Sequence, residues 1–212
     1  MGWPMIDAIL FDLDGTLIDT ESVALKAGHA AFGDLGVAVD IGLMHSLIGV
    51  DQPTSRKIIQ ASLPDLDIAR LAQAWDARFN AAILQGLPLK PGAAALLDLA
   101  PRPMAIVTSS GRDAAHHKLR LAQIDHHFQH IVTVSDVARA KPAPEPYLLA
   151  AQKLNVSPAR CLVFEDSETG AEAAYRAGCI VVQVPDVVPT NGRWAHHVAP
   201  DLLAGARQFG LI

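Results

Sequence analysis

The sequence has no Lys/Arg-rich run, and its charge balance leans the other way, with 17 Lys and Arg against 22 Asp and Glu and a formal net charge of -5. Nucleic-acid binding normally shows as a basic stripe or patch, so no nucleic-acid partner is expected. Long apolar runs are also missing. The longest are about one strand long, far short of the ~20 residues a membrane helix needs, so no membrane partner is expected either. Met1-Gly2-Trp3-Pro4-Met5 carries no basic n-region, and the apolar run after it is broken by Asp7 and Asp12. A signal peptide is therefore not expected, and the cytoplasm is the default compartment. Cysteine is scarce. Cys161 and Cys179 each sit beside an apolar run and read as two buried core thiols of a reducing compartment rather than a disulfide. There are no internal repeats and no low-complexity tract; the Ala-rich stretches are helix formers.

What is present is enough apolar residue to bury a core: 212 residues, 50% of them hydrophobic, fit one domain plus a sizeable insertion. Five short apolar runs bounded by turn residues or charges read as buried strands: Ile6 to Phe11, Met104 to Val107, Ile131 to Val134, Leu162 to Phe164 and Ile180 to Val184. Near-continuous apolarity is the mark of parallel strands covered on both faces. Helical patterns over Ala93 to Leu99, Asp113 to Leu121, Pro146 to Leu154 and Ser167 to Ala177 alternate with them, which predicts an α/β fold with a doubly wound parallel sheet. One interval breaks the rhythm. From about Leu17 to Gly86 only helical pattern occurs, with Ile68, Leu71, Ala72, Trp75, Phe79 and Ile83 on one face of a long helix. A structureless connection of that length is implausible. The expected division is a core of residues 1–16 and 88–212, with residues 17–87 forming an inserted helical subdomain.

Ligands of such sheets bind outside the carboxyl ends of the strands, and the unusual polar residues fall there. The first strand runs into Asp12-Leu13-Asp14-Gly15-Thr16, the second ends in Thr108-Ser109-Ser110-Gly111, Lys141-Pro142-Ala143-Pro144 follows the third, and the fourth ends in Glu165-Asp166-Ser167. Each alone has an ordinary explanation: a turn, a helix N-cap, a loop lysine, a charged helix start. Four in order at four strand ends do not share one. Crowded carboxylates repel by about 4 kcal/mol per pair at ~4 Å and an effective dielectric of ~20, and a divalent cation relieves the conflict. All-oxygen ligands favour magnesium over zinc or copper. Lys141 and Thr108 then suit the remaining oxygens of a phosphoryl group, whose transfer needs charge neutralisation and an in-line nucleophile.

These four segments, with Ala173-Ala174-Tyr175-Arg176-Ala177-Gly178, resemble the motifs of the haloacid dehalogenase superfamily over nearly the whole chain. The resemblance implies a Rossmann-like core, a helical cap inserted after the first strand, and a magnesium-dependent phosphatase of the subfamily that includes β-phosphoglucomutases. It implies that Asp12 attacks phosphorus to form an aspartyl-phosphate. Asp14 would protonate the leaving oxygen and then activate water. The Asp12 and Asp166 carboxylates and the Asp14 carbonyl would hold magnesium, with Glu165 binding it directly or through water. Thr108, Ser109 and Lys141 would bind the phosphoryl group, Lys141 also orienting Asp12.

Three alternatives carry distinguishing features. A mutase usually has a histidine a few residues after the first motif and an arginine in the cap; the corresponding places here are Ala24 and Gln52. A dehalogenase generally lacks the second aspartate, which is Asp14. A non-catalytic phosphate-binding regulatory domain would tolerate the loss of Asp14 or Asp166. Nine histidines are a distraction. Only His126 and His130 have a helix-compatible i,i+4 chelate spacing, with no matching carboxylate or cysteine, so they read as surface residues. The expected substrate is a small phosphorylated metabolite, a sugar phosphate or phosphorylated sugar acid. Specificity would come from cap residues such as His45, Asp51, Gln52, Arg56 and Lys57, and a monomer is the default.

Overall fold

The computed structural model describes residues 5–47 and 52–212, with the backbone alone described for Gln52. Its strands are β1 (Ala8–Phe11), β2 (Met104–Val107), β3 (His130–Val132), β4 (Cys161–Glu165), β5 (Ile180–Gln183) and β6 (His197–Val198). The helices are α1 (Thr20–Asp34), α2 (Ile41–Ser46), α3 (Gln52–Ser62), α4 (Ile68–Ile83), α5 (Ala93–Leu99), α6 (Arg112–Leu121), α7 (Glu145–Lys153), α8 (Glu168–Arg176) and α9 (Leu202–Gln208). The six strands form one sheet in the order β3-β2-β1-β4-β5-β6, every neighbouring pair parallel. Their carboxyl ends therefore share one rim.

The apolar runs dictate this arrangement. Ala8, Ile9, Leu10 and Phe11 of the central β1 are all fully buried, as a strand covered on both faces must be. Phe11 stacks on Phe164 with ring centroids 5.3 Å apart, locking β1 to β4, where the two residues are register partners. Cys161 and Cys179 are free and buried within the sheet's core cluster. Burial, helped by Asp7, pushes the Cys161 thiol up to about 12, which keeps it an inert core residue.

Several boundaries differ from the pattern-based expectation. β3 stops at Val132, and Val134 opens a 3₁₀ turn over Val134–Asp136 whose Thr133 and Asp136 cap one another. The predicted strands also omit β6. Its two residues are too few to show a period, yet the His196 N–H donates to the Val181 carbonyl at 2.8 Å and Ala199 to Gln183 at 2.9 Å, extending the ladder. The His126/His130 spacing does not fall on an α-helix: a 3₁₀ turn covers Asp125–His127, and His130 begins β3.

The chain divides into two compact units, Met1–Asp19 with Pro88–Ile212, and Thr20–Leu87. The first contains the sheet, β1 to β6 with α5 to α9. Leu17 and Ile18 belong with it; both are fully buried, and Ile18 bridges Asp14 and, antiparallel, Leu89. The second contains α1 to α4 around its own cluster of Ala31, Phe32, Met44, Leu47, Ile59 and Leu71. There Asp67 caps α4 by accepting from Ala69 and Arg70 N–H at 3.0 Å. Among the described residues no helix is long and apolar enough to cross a membrane.

Candidate active site

The site is built where β1, β2 and β4 end. The Asp12 N–H donates to the Phe164 carbonyl at 3.0 Å, carrying the β1–β4 ladder one residue past β1 and fixing the nucleophile candidate against the sheet. The chain then turns back, with the Leu17 and Ile18 N–H groups both donating to the Leu13 carbonyl. Gly15 makes this turn at φ +84, and a Cβ there would lie 2.4 Å from Asp166 Oδ2. Only glycine satisfies both demands.

Lys141 ties the centre together. Its buried Nζ donates to Asp12 Oδ1 at 2.7 Å, the Val107 carbonyl at 2.8 Å and Glu165 Oε1 at 2.5 Å, which uses all three of its protons. Burial opposes its charge, but Asp12 and Glu165 more than offset that and raise its pKa. Glu165 is fully buried and held at both oxygens. Oε1 also accepts from Tyr147 Oη at 2.6 Å, and Oε2 accepts from Ser167 Oγ at 3.0 Å. Ser167 in turn caps α8 by accepting from the Gly170 N–H at 3.1 Å. The Glu165 carboxylate lies so close over the first turn of α8 that a Cβ on Gly170 would sit 1.7 Å from Oε1. Asp166 accepts from Thr16 Oγ1 at 3.3 Å.

A cavity of about 310 Å3 opens beside these groups. Asp12, Asp14, Thr108, Ser109, Lys141 and Asp166 all line it, joined by Ser110, Ser167, Thr169 and Gly170. Of the sequence-predicted sheet residues, only Glu165 lies outside this lining, behind Lys141. Asp14 is part of the wall but not of the acidic cluster. The Thr108 N–H continues the β2–β3 ladder by donating to Val132, while its Oγ1 accepts from Ser110 N at 3.0 Å. In the second unit His45 lies on α2 and Arg56 and Lys57 on α3, all exposed. Asp51 and the Gln52 side chain fall outside the described residues.

Oxygens of Asp12, Glu165 and Asp166 all lie within 4.8 Å of one another. Three carboxylates crowd one ammonium, and the cost shows at Asp12 and Asp166. Burial raises the pKa of Asp12 well above the usual carboxylate range, opposed by Lys141 and reinforced by the charges of Glu165 and Asp166. Burial and Glu165 push Asp166 up to about 7. Close by, Lys90 pairs with Asp186, whose Oδ2 is buried without a hydrogen-bond partner among the described residues. A cluster of hard oxygen donors with excess negative charge fits a divalent cation such as magnesium. Beside it, the hydroxyl-bearing residues Thr108, Ser109, Ser110, Ser167 and Thr169 line the same cavity and suit an oxyanion.

Two polar contributors had no signal at the sequence level. Tyr147, buried in α7, reads as an ordinary core aromatic. Lys118, in α6, meets both Asp14 oxygens at 2.7 and 2.8 Å, though it lies outside every motif.

The haloacid dehalogenase-like hydrolase family matches residues 6–178. The fructose-1-phosphate phosphatase YqaB of Escherichia coli is 35% identical over 184 residues, covering 83% of this chain and 95% of that one. Among solved structures, a HAD family hydrolase from Deinococcus radiodurans with bound phosphate and sodium superposes with a TM-score of 0.84 at 30% identity, covering 98% of this chain and 97% of the other. The β-phosphoglucomutase of Clostridium difficile does so at 0.64 and 26%, covering 92% and 91%.

Proposed function

The chain belongs to the haloacid dehalogenase-like hydrolases and is a phosphatase, and from that premise we propose that it hydrolyses a small sugar phosphate or phosphorylated sugar acid with magnesium, through an aspartyl-phosphate at Asp12. One juxtaposition supports this most: Asp12, tied to Lys141 at 2.7 Å, faces the same cavity as Asp14, Thr108 and Asp166.

In this mechanism Lys141 holds Asp12 Oδ1 and leaves Oδ2 to attack phosphorus. As the new P–O bond forms, the ester P–O bond breaks, and the departing oxygen takes a proton from Asp14. The alcohol leaves. Asp14, now a carboxylate, takes a proton from the water whose oxygen attacks the phosphoenzyme, releasing phosphate and restoring Asp12. Thr108 and Ser109 bind the phosphoryl oxygens, and Lys141, which lines the same cavity, would reach one by turning toward it the proton now given to the Val107 carbonyl. The Asp12 and Asp166 carboxylates with the Asp14 carbonyl would hold magnesium, Glu165 directly or through water; bound there, the cation would neutralise charge developing on the phosphoryl group. The inserted unit, Thr20–Leu87, would act as the cap that sets specificity and excludes water. Arg56 and Lys57 suit an anionic substrate.

The test is a panel of phosphorylated metabolites scored for phosphate release with magnesium and with chelator. Release is expected from sugar phosphates, dependent on magnesium and abolished in a folded Asp12→Asn variant, which should also fail to trap the phosphoenzyme. Undiminished activity in that variant removes Asp12 from its role, and p-nitrophenyl phosphate left intact by the magnesium-loaded protein would favour phosphate binding without catalysis. The likeness to a β-phosphoglucomutase favours a second reading, phosphoryl transfer between sugar positions. Ala24, where such mutases usually carry histidine, argues for water as the acceptor, and an isomeric sugar phosphate appearing without free phosphate would reverse that.

A further inference from the structure

We propose that Lys118 is a positioning residue for Asp14, holding the acid–base carboxylate in register with the leaving group, so that rates on esters with poor leaving groups depend on it. The inference rests on the phosphatase mechanism above.

Lys118 stands in the second turn of α6, which starts just after Ser110 at the sheet's rim. Side chains on a helix tilt toward its N-terminus, and a lysine can bury its stem while its head reaches a polar partner. Its side chain is accordingly only 19% exposed. Nζ meets Asp14 Oδ1 at 2.7 Å and Oδ2 at 2.8 Å, and donates to Ser110 Oγ at 3.1 Å. Ser110 Oγ donates to Asp14 Oδ2 at 2.9 Å. The three side chains close a ring.

That ring separates the duties of the site's cations. Lys141 serves Asp12 and Glu165, while Lys118 serves Asp14. Lys118 does not line the cavity, so it acts through Asp14 rather than on substrate. Asp14 hangs on the turn after β1, where a carboxylate with free rotation would often point away from the reacting oxygen. Contact at both oxygens removes that freedom. It also meets the charge that proton donation creates: when the ester P–O bond breaks and the leaving oxygen takes the Asp14 proton, the carboxylate left behind is the form this ring holds. An alkoxide leaving group needs that proton, whereas p-nitrophenolate departs without it.

The experiment compares wild type with Lys118→Met, Lys118→Gln and Lys118→Arg, each checked for fold by circular dichroism. Single-turnover release of the alcohol is measured from a sugar phosphate hydrolysed by the wild type and from p-nitrophenyl phosphate, both with magnesium. Misplacing a general acid costs on the order of a hundredfold, so that loss is expected in the Met and Gln variants on the sugar phosphate. Their KM should be little changed, and p-nitrophenol release should be slowed by less than about tenfold. Arginine should restore part of the difference. Equal losses on both esters, or wild-type rates on both, would overturn the role of Lys118 while leaving the phosphatase reading standing. Wild-type protein that releases neither alcohol overturns that reading and this inference with it.

Discussion

Burial and the charge of Glu165 push the Asp166 carboxyl up to about 7, and burial raises Asp12 as well. An unfolded aspartate titrates near ~3.9. A folded-state pKa raised above the unfolded one contributes stability that is complete below the unfolded value and is lost as pH rises through the folded one. The metal-free protein should therefore lose on the order of a few kcal/mol between about pH 4 and about pH 7 from Asp166 alone. On the proposed reading magnesium would bind the deprotonated carboxylates and so compete with the protons that offset this loss. Calorimetric Tm should rise more on adding excess magnesium at about pH 8 than at about pH 5; an equal or larger rise at the lower pH would take the cation away from these carboxylates. Asp12, Asp14, Thr108, Glu165 and Asp166 were legible as residues because each follows an apolar run that reads as a buried strand, and Lys141 because it is a cation set before Pro142 and Pro144 in the connection after the third. Their partners were not. The Lys118 amine reaches Asp14 across 104 positions of sequence, and Tyr147 reaches Glu165 from the buried face of a helix. Neither contact has a local pattern.

At the level of elements, periodicity carried information in proportion to length. The stripe from Ile68 to Ile83 coincides with α4, and the five apolar runs coincide with β1 to β5 to within two residues at each end. β6 and α9 escaped. A two-residue strand has no alternation to detect, and its pairing depends on His196 lying beside Val181. The α4 stripe also carries an energetic expectation. Leu71 is 2% exposed within the second unit's core cluster, and Trp75, one turn on, meets Phe32 of α1 edge to face at 6.2 Å. Leu71→Ala removes packed methyl groups that the surrounding helices cannot fully replace, a change that costs about 2–5 kcal/mol. The urea midpoint should fall accordingly with the m-value unchanged. A shift worth less than about 0.5 kcal/mol would mean that this face of α4 is not core.

Across the whole molecule, the question is how a sheet tolerates 68 residues, Thr20–Leu87, inserted after its central strand. The outgoing and returning passages are zipped together within the sheet unit. Asp19 N–H donates to the Pro88 carbonyl at 2.9 Å, Lys90 N–H donates to the Leu17 carbonyl at 2.8 Å, and Ile18 forms an antiparallel bridge with Leu89. Such a neck brings the ends of the insertion together whatever lies between them. Closing a loop costs entropy that grows only with the logarithm of its length, so the insertion is thermodynamically cheap to carry and, by the same reasoning, cheap to lose. Replacing residues 20–87 with a short Gly/Ser linker should leave a folded sheet that keeps the β1, β2 and β4 ends and their carboxylates. If the inserted unit sets specificity, that shortened protein should still release phosphate slowly from p-nitrophenyl phosphate in a magnesium-dependent way, with its preference among sugar phosphates flattened to within about tenfold, since discrimination arises from differential contacts in the transition state. A shortened protein that folds, binds magnesium and keeps the full-length selectivity would move specificity out of the helices and into the sheet's own rim, where Ser167 and Thr169 line the cavity.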